Sequence, residues 1–372
     1  MVERRKSATK RGVLMAALLS AGLGLALSAA GLSAAASRLH DARRPLFVGF
    51  YDAWDQSDLP ALPGQLARLD VFAPRWLTIR GAQGQVVVEP DQGAAAIAAR
   101  AQPRLKLAPL VSNAHDDIWD EPAAEAVILN PQAQKAFIER LRQLAGARGF
   151  SGYIFDFENL SPRASAAYPA LLSAARGALS GSGLEVWATA TPGPDEPLAA
   201  LARSADAVVL MAYDECWATS NAGPIAGSDW LARLLADRLA GVDPERVIVA
   251  LAAYGYDWPR GAPGQPIGAA AAMKLAARLK AKVVRDPASQ SAHFAYVAAD
   301  GRPHQVWFID AAAFAADRAA AAGSHPRGYA IWRLGLEDPA IWSLPHAPAA
   351  ATGRPRPTVG PAPHPCDPLK PL

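Results

Sequence analysis

Two carboxylates close an apolar run at Ser151-Gly152-Tyr153-Ile154-Phe155-Asp156-Phe157-Glu158. Alternate residues of an extended strand share a face, so Ile154, Asp156 and Glu158 line one side while Tyr153, Phe155 and Phe157 pack the other. Two acids on one face at a strand tip are candidates for catalytic chemistry. The plainer reading makes one acid a helix cap and the other a solvated strand end, because Asn159-Leu160-Ser161-Pro162 reads as a loop. A buried strand, however, has no structural use for two carboxylates on one face.

The elements that must position this pair alternate along the chain. Apolar, β-rich runs are predicted at 46–51, 71–79 (interrupted by Pro74), 105–111, 152–158, 184–190, 207–213, 247–253 and 328–332, eight in all. Ala-rich amphipathic helices separate them, for example at 131–147, 163–179, 229–240 and 269–282. His293–Val297 and Gln305–Phe308 flank Asp300-Gly301 like a hairpin. The pattern predicts an α/β fold, a (β/α)8 barrel with a small β-hairpin insertion before the last strand. Barrels of this kind carry their active sites at the C-terminal ends of the strands.

The unusual residues collect at those ends. Strand one runs into Tyr51, Asp52 and Trp54, strand three into Ser112 and Asn113, and strand four into Asp156 and Glu158. Strand six ends in Tyr213-Asp214-Glu215, strand seven in Tyr254-Gly255-Tyr256-Asp257-Trp258, and strand eight in Trp332-Arg333. Aromatic faces stack on sugar rings and carboxylates hydrogen-bond hydroxyls, so the mixture suits a carbohydrate groove. No glycine-rich phosphate loop follows a strand, and no His-x-x-x-His pair occurs among the seven histidines. His115 beside Asp116 and Asp117 is the nearest approach to a metal cluster; no metal site is assigned and no cofactor is implied.

Composition sets the surroundings. The chain has 372 residues, 51% hydrophobic and 19% charged, enough for one large core. Arg4, Arg5, Lys6, Lys10 and Arg11 precede an uncharged run from Val13 to Ser37. Residues 1–36 therefore read as a cleaved signal peptide or an N-terminal membrane anchor, and either places the remainder outside the cytoplasm, periplasmic or secreted. The whole chain carries +3, but residues 1–36 hold five Lys or Arg and one Glu, a net +4, which leaves −1 for residues 37–372. Nucleic acid is not an expected partner of such a domain. Residues 45–344 form the expected barrel and 345–372 a Pro/Ala-rich tail read as disordered or linker. Cys216 and Cys366 are the only cysteines, which excludes a disulfide framework and leaves a single bridge open.

Three segments resemble family 18 glycoside hydrolases, the chitinase-like barrels: Gly152–Glu158 against the Asp-Gly-x-x-x-Asp-x-Glu signature, Met211-Ala212-Tyr213-Asp214, and Tyr329-Ala330-Ile331-Trp332. Leu251–Trp258 and Val306–Asp310 are similar to the bacterial branch containing spore-cortex peptidoglycan hydrolases, and 332–339 resembles barrel domains fused to polysaccharide deacetylases and glycosyltransferases. The resemblance implies an exported glycosidase acting on β-linked N-acetylglucosamine polymers such as peptidoglycan, chitin or an exopolysaccharide, with Glu158 as general acid. It implies that the substrate's own acetamido oxygen is the nucleophile, that Asp156 orients it, and that Tyr213 hydrogen-bonds it. Asp214, Trp332, Tyr51, Trp54, Asn113, Tyr254 and Trp258 are the expected sugar-binding residues. Ser151 and Ile154 depart from the family pattern, where Asp, and Asp or Asn, are usual. That departure sustains a second reading, a sugar-binding or scaffold barrel of the cell envelope with little turnover.

Overall fold

The computed structural model describes residues 44–52, 59–101, 104–115, 118–345 and 366. Eight parallel strands close into a barrel: β1 (Leu46–Tyr51), β2 (Val71–Arg80), β3 (Leu110–Ser112), β4 (Gly152–Asp156), β5 (Glu185–Ala190), β6 (Ala207–Met211), β7 (Val247–Ala252) and β8 (Gly328–Trp332). Closure comes from β1, which pairs with β2 on one side and β8 on the other. The expected (β/α)8 architecture is the observed one.

The alternation read from β4 holds to its last residue, Asp156, and Phe157 and Glu158 follow just beyond the strand. Its outward face stacks Phe155 on Phe157 and Phe157 on Tyr168, with Phe137 edge-on to Phe155. These rings bury β4 beneath the helices Pro131–Arg148 and Pro162–Ser180. The second helix is capped by Ser161, whose Oγ accepts from Ala164 N at 3.3 Å. Neither Asp156 nor Glu158 is used as its cap. Gly152 starts β4 where only a glycine fits, because a Cβ would lie 2.2 Å from the backbone oxygen of Glu185 on β5.

Two strands differ from expectation. The predicted run 105–111 is split: Lys106–Leu107 pairs with the start of β2, and β3 begins after Pro109, which cannot donate to a ladder. β2 continues through Pro74, and its register against β3 shifts between Arg75 and Leu77. A bulge of this kind re-aims side chains.

The insertion before β8 is larger than a hairpin. Five antiparallel strands run in the order Gln265–Ile267, Gly255–Pro259, Pro303–Phe308, Ala292–Val297, Val284–Arg285. The helix Ala269–Leu279 covers one face through Ala269, Ala272 and Ala276 against Phe294, Val306 and Phe308. A short hairpin, Ala114–His115 with Ile118–Trp119, follows β3.

Among the described residues no helix is long and apolar enough to cross a membrane. The leader, 1–36, and the tail residues 346–365 and 367–372 lie outside the described residues. Cys366 is described: it is buried and forms a disulfide with Cys216, with a Cα–Cα separation of 5.1 Å. At this one position the tail is fixed to the barrel.

Candidate active site

A cleft of about 530 Å³ opens at the C-terminal ends of the barrel strands. Asp52, Arg75, Asp156, Glu158, Tyr213 and Trp332 are among the residues that line it.

Asp156 ends β4, opposite Ser112 of β3. Its Oδ1 accepts from Thr189 Oγ1 at 2.8 Å, and Ser112 adds a second side-chain hydrogen bond. Burial raises its pKa, while Thr189, Arg75 and Ser112 work in the opposite direction. Glu158, two residues on, is held by its backbone instead. Asn113 donates through Nδ2 to the Glu158 carbonyl and accepts from the Glu158 N–H, both at 3.0 Å. Burial, then the charges of Asp156, Glu196 and Asp214, push the Glu158 carboxyl up to about 9. When two carboxyls compete for one proton, it settles where the anion is least supported. Asp156 has donors and a nearby cation; Glu158 has acidic neighbours. At neutral pH Glu158 therefore carries the proton, and Asp156 is the better supported of the two as an anion.

Aromatic rings border the same cleft. Tyr213 lies parallel to Trp332 with ring centroids 6.3 Å apart, and Tyr254 meets Tyr213 edge-on at 6.2 Å. Asp214 takes a left-handed backbone conformation, φ 60°, and accepts a hydrogen bond from the Tyr254 hydroxyl. Burial raises the Asp214 carboxyl to about 6. Burial and the surrounding acids keep the Tyr213 phenol protonated, so it is available as a donor.

Of the ten residues named from the sequence, Asp156, Glu158, Tyr213, Asp214 and Trp332 meet around the cleft. Tyr254 stands behind Asp214 and is 5% exposed. Asn113 is fully buried, and its side-chain amide is taken up by the Glu158 backbone. Tyr51 is a core residue, packed on Phe72 at 5.8 Å. Trp258 belongs to the inserted sheet, where it contacts Tyr256 at 5.1 Å and closes over Gly264, away from the cleft. The physical reason is local: 255–259 forms a strand of its own, antiparallel to 303–308, and does not prolong β7. Trp54, Asp116 and Asp117 lie outside the described residues. His115 pairs with Asp120 through Nε2 at 3.2 Å.

Several contributors were not singled out from the sequence. Thr189 is the penultimate residue of β5, and the barrel rule applied to every strand end would have found it. Trp119 reaches the cleft from the short hairpin after β3, and Glu196 acts from a loop in which its Oε2 accepts from Thr191 N at 2.7 Å. Arg75 sits inside a strand, where nothing in the local pattern marks it.

Comparison with known proteins gives the same picture. The profile described as "Glycosyl hydrolases family 18" matches residues 46–337. The "Cortical fragment-lytic enzyme" of Bacillus subtilis (strain 168) is 25% identical over 252 residues, covering 63% of this chain and 58% of that protein. The chain thus spans less than two thirds of that relative's length. The chitinase from Chromobacterium violaceum ATCC 12472 superposes with a TM-score of 0.74 at 26% identity, covering 80% of this chain and 97% of that one. The Bacillus cereus spore cortex-lytic enzyme SleL gives 0.73 at 22%, covering 80% and 73%, a likeness of fold.

Proposed function

The chain belongs to glycosyl hydrolases family 18, and we propose that it is a glycoside hydrolase that cleaves β-linked N-acetylglucosamine polymers with retention, using the substrate's acetamido group as nucleophile. The observation that carries the proposal is the arrangement at the end of β4, where Thr189 and Ser112 hydrogen-bond Asp156 and, two residues on, burial and acidic neighbours push the Glu158 carboxyl up to about 9.

In the first step Glu158 gives its proton to the glycosidic oxygen as the C1–O bond breaks. The acetamido oxygen closes on C1, forming an oxazolinium ion. Asp156 accepts the acetamido N–H and faces the positive charge as it develops, and the Tyr213 hydroxyl donates to the acetamido oxygen. Trp332, stacked beside Tyr213, is the floor on which the reacting ring lies. In the second step the Glu158 carboxylate takes a proton from water, which attacks C1 and reopens the oxazolinium, and the double displacement retains configuration. In this reading Asp156 supports the acetamido group and does not itself attack C1. The loss of a polar residue at Ile154 leaves Asp156 supported through Thr189 and Ser112, which favours turnover over the scaffold reading.

Export is part of the proposal. The basic and apolar character of residues 4–37 and the Cys216–Cys366 disulfide are consistent with an oxidising compartment outside the cytoplasm. Mass spectrometry of products from chitin oligomers and purified peptidoglycan, beside a Glu158→Gln control, tests the substrate class. N-acetylglucosamine-terminated products absent from the control support it; no product from either polymer refutes it. Fractionation of the cell of origin tests export, and full-length chain in the cytosol would count against it.

A further inference from the structure

Two residues before Asp156 on its own strand stands Ile154, fully buried and apolar. A different pair reaches the same place from β1 and β2. Arg75 Nε donates to Asp52 Oδ2 at 2.9 Å and Nη2 donates to Oδ1 at 3.0 Å, a two-pronged ion pair. Asp52 is fixed in turn, since its backbone carbonyl accepts from the buried Arg333 Nη1 at 2.8 Å. Arg75 reaches the cleft from beside the bulge in β2, and its side chain keeps 28% of its surface exposed against 9% for Asp52. Both border the cleft together with Asp156 and Ser112.

We propose that Arg75 is a positioning residue for Asp156: its guanidinium, held by Asp52, supplies the positive potential that keeps Asp156 ionised above an apolar barrel floor. The proposal rests on the substrate-assisted reading, in which Asp156 must be an anion when the oxazolinium charge develops. The groups facing Asp156 are Asp52 from β1, Arg75 from β2, Ser112 from β3, Glu158 beyond β4, Thr189 from β5, and Glu196, Tyr213, Asp214 and Tyr168 around them. Ser112 and Thr189 give hydrogen bonds, and the other carboxylates oppose a second negative charge. Arg75 is the cation whose field favours the ionised form, and the nearby Asp52 charge tempers it. An ion pair that served stability alone would have no reason to affect the titration of the catalytic pair.

The test is the pH dependence of kcat on a fluorogenic N-acetylchitobioside for the native enzyme and for Arg75→Met, Arg75→Lys and Asp52→Asn, with folding checked by circular dichroism. Activity needs Asp156 ionised, so it rises with pH through the Asp156 pKa, and whatever raises that pKa moves the acid limb upward. Arg75→Met is expected to move the limb up by on the order of one pH unit and to lower kcat about tenfold below it, with KM little changed. Arg75→Lys restores most of the shift, because charge rather than the fork geometry acts on Asp156. Asp52→Asn leaves the cation uncompensated and moves the limb down, and it alone decides the matter should Arg75→Met not fold. Acid limbs that coincide with the native one in folded Arg75→Met, or in Asp52→Asn, overturn the proposal. Glu158→Gln, run alongside, separates this failure from failure of the mechanism: retained activity there would refute the mechanism itself.

Discussion

Replacing Asp156 by Asn removes the charge that, after burial, contributes most to holding the proton on Glu158. Glu158 follows Asp156 by two residues just beyond the end of β4, and two residues of extended chain span about 6.6 Å. At an effective dielectric of about 20, two unit charges at that distance repel by about 2.5 kcal/mol, or about two pKa units. Water in the open cleft screens part of this, so a shift of about one unit is expected. The sign follows from the role. Glu158 must be protonated to act as the acid, and its activity is lost as pH rises through about 9 in the native enzyme. Without the Asp156 charge the Glu158 carboxylate is easier to form, so the basic limb of the kcat profile moves down toward pH 8. The same substitution removes the partner of the developing oxazolinium, which should reduce kcat by roughly 10²-fold or more, with KM changing little. The assay is release of 4-methylumbelliferone from an N-acetylchitobioside between pH 4 and 11. A basic limb that stays near 9 would refute the coupling, and a loss confined to KM would refute the role.

The Glu158 carboxyl also sets a stability prediction: its pKa is raised on folding, so its contribution is fully present below its unfolded value, near 4.5, and declines as pH rises toward about 9. Glu158→Gln is therefore expected to melt about 2 °C above the native enzyme at pH 7.5, after discounting for its exposure to the cleft, with no difference at pH 4; equal melting at both pH values would contradict this. Reduction of Cys216–Cys366, or Cys366→Ser, should cost roughly 2–5 kcal/mol, read as a lowered denaturation midpoint, and intact-mass alkylation should detect no free thiol before reduction. Gly152→Ala should cost about 1–3 kcal/mol or prevent folding, because the Glu185 backbone cannot withdraw without opening the β4–β5 ladder; a native melting temperature would show that the close approach is not real.

The barrel was legible because its strands are apolar, short and separated by helices of regular period, and each βα unit announces itself locally. The catalytic strand was legible for a further reason: Asp156 and Glu158 break a rule that a purely structural strand obeys. Contacts that depend on tertiary placement were harder. Trp258 looked like part of the barrel mouth because Tyr254 to Trp258 reads as one aromatic run, yet the chain leaves β7 after Ala252 and 255–259 pairs into another sheet. Tyr51 sits beside Asp52, but the pleat points the two to opposite sides, one into the core and one toward the cleft. Asn113 was placed correctly at a strand end, although its amide is consumed by the Glu158 backbone. Arg75 was hidden because its function depends on a bulge and on a partner 23 residues away, neither of which leaves a local signature.

The central claim is that Glu158 delivers the proton while the substrate's acetamido group, and no side chain, attacks C1. It is tested most directly by comparing two fluorogenic disaccharides that differ only at C2 of the reacting sugar, one acetamido and one hydroxyl, on the native enzyme and on Glu158→Gln. The expected result is turnover of the acetamido substrate alone by the native enzyme, with retained configuration at the new anomeric centre by proton NMR, and a loss of roughly 10²–10⁴-fold in the variant. Comparable turnover of the hydroxyl analogue, or a Gln variant retaining more than about a tenth of native activity, would contradict it.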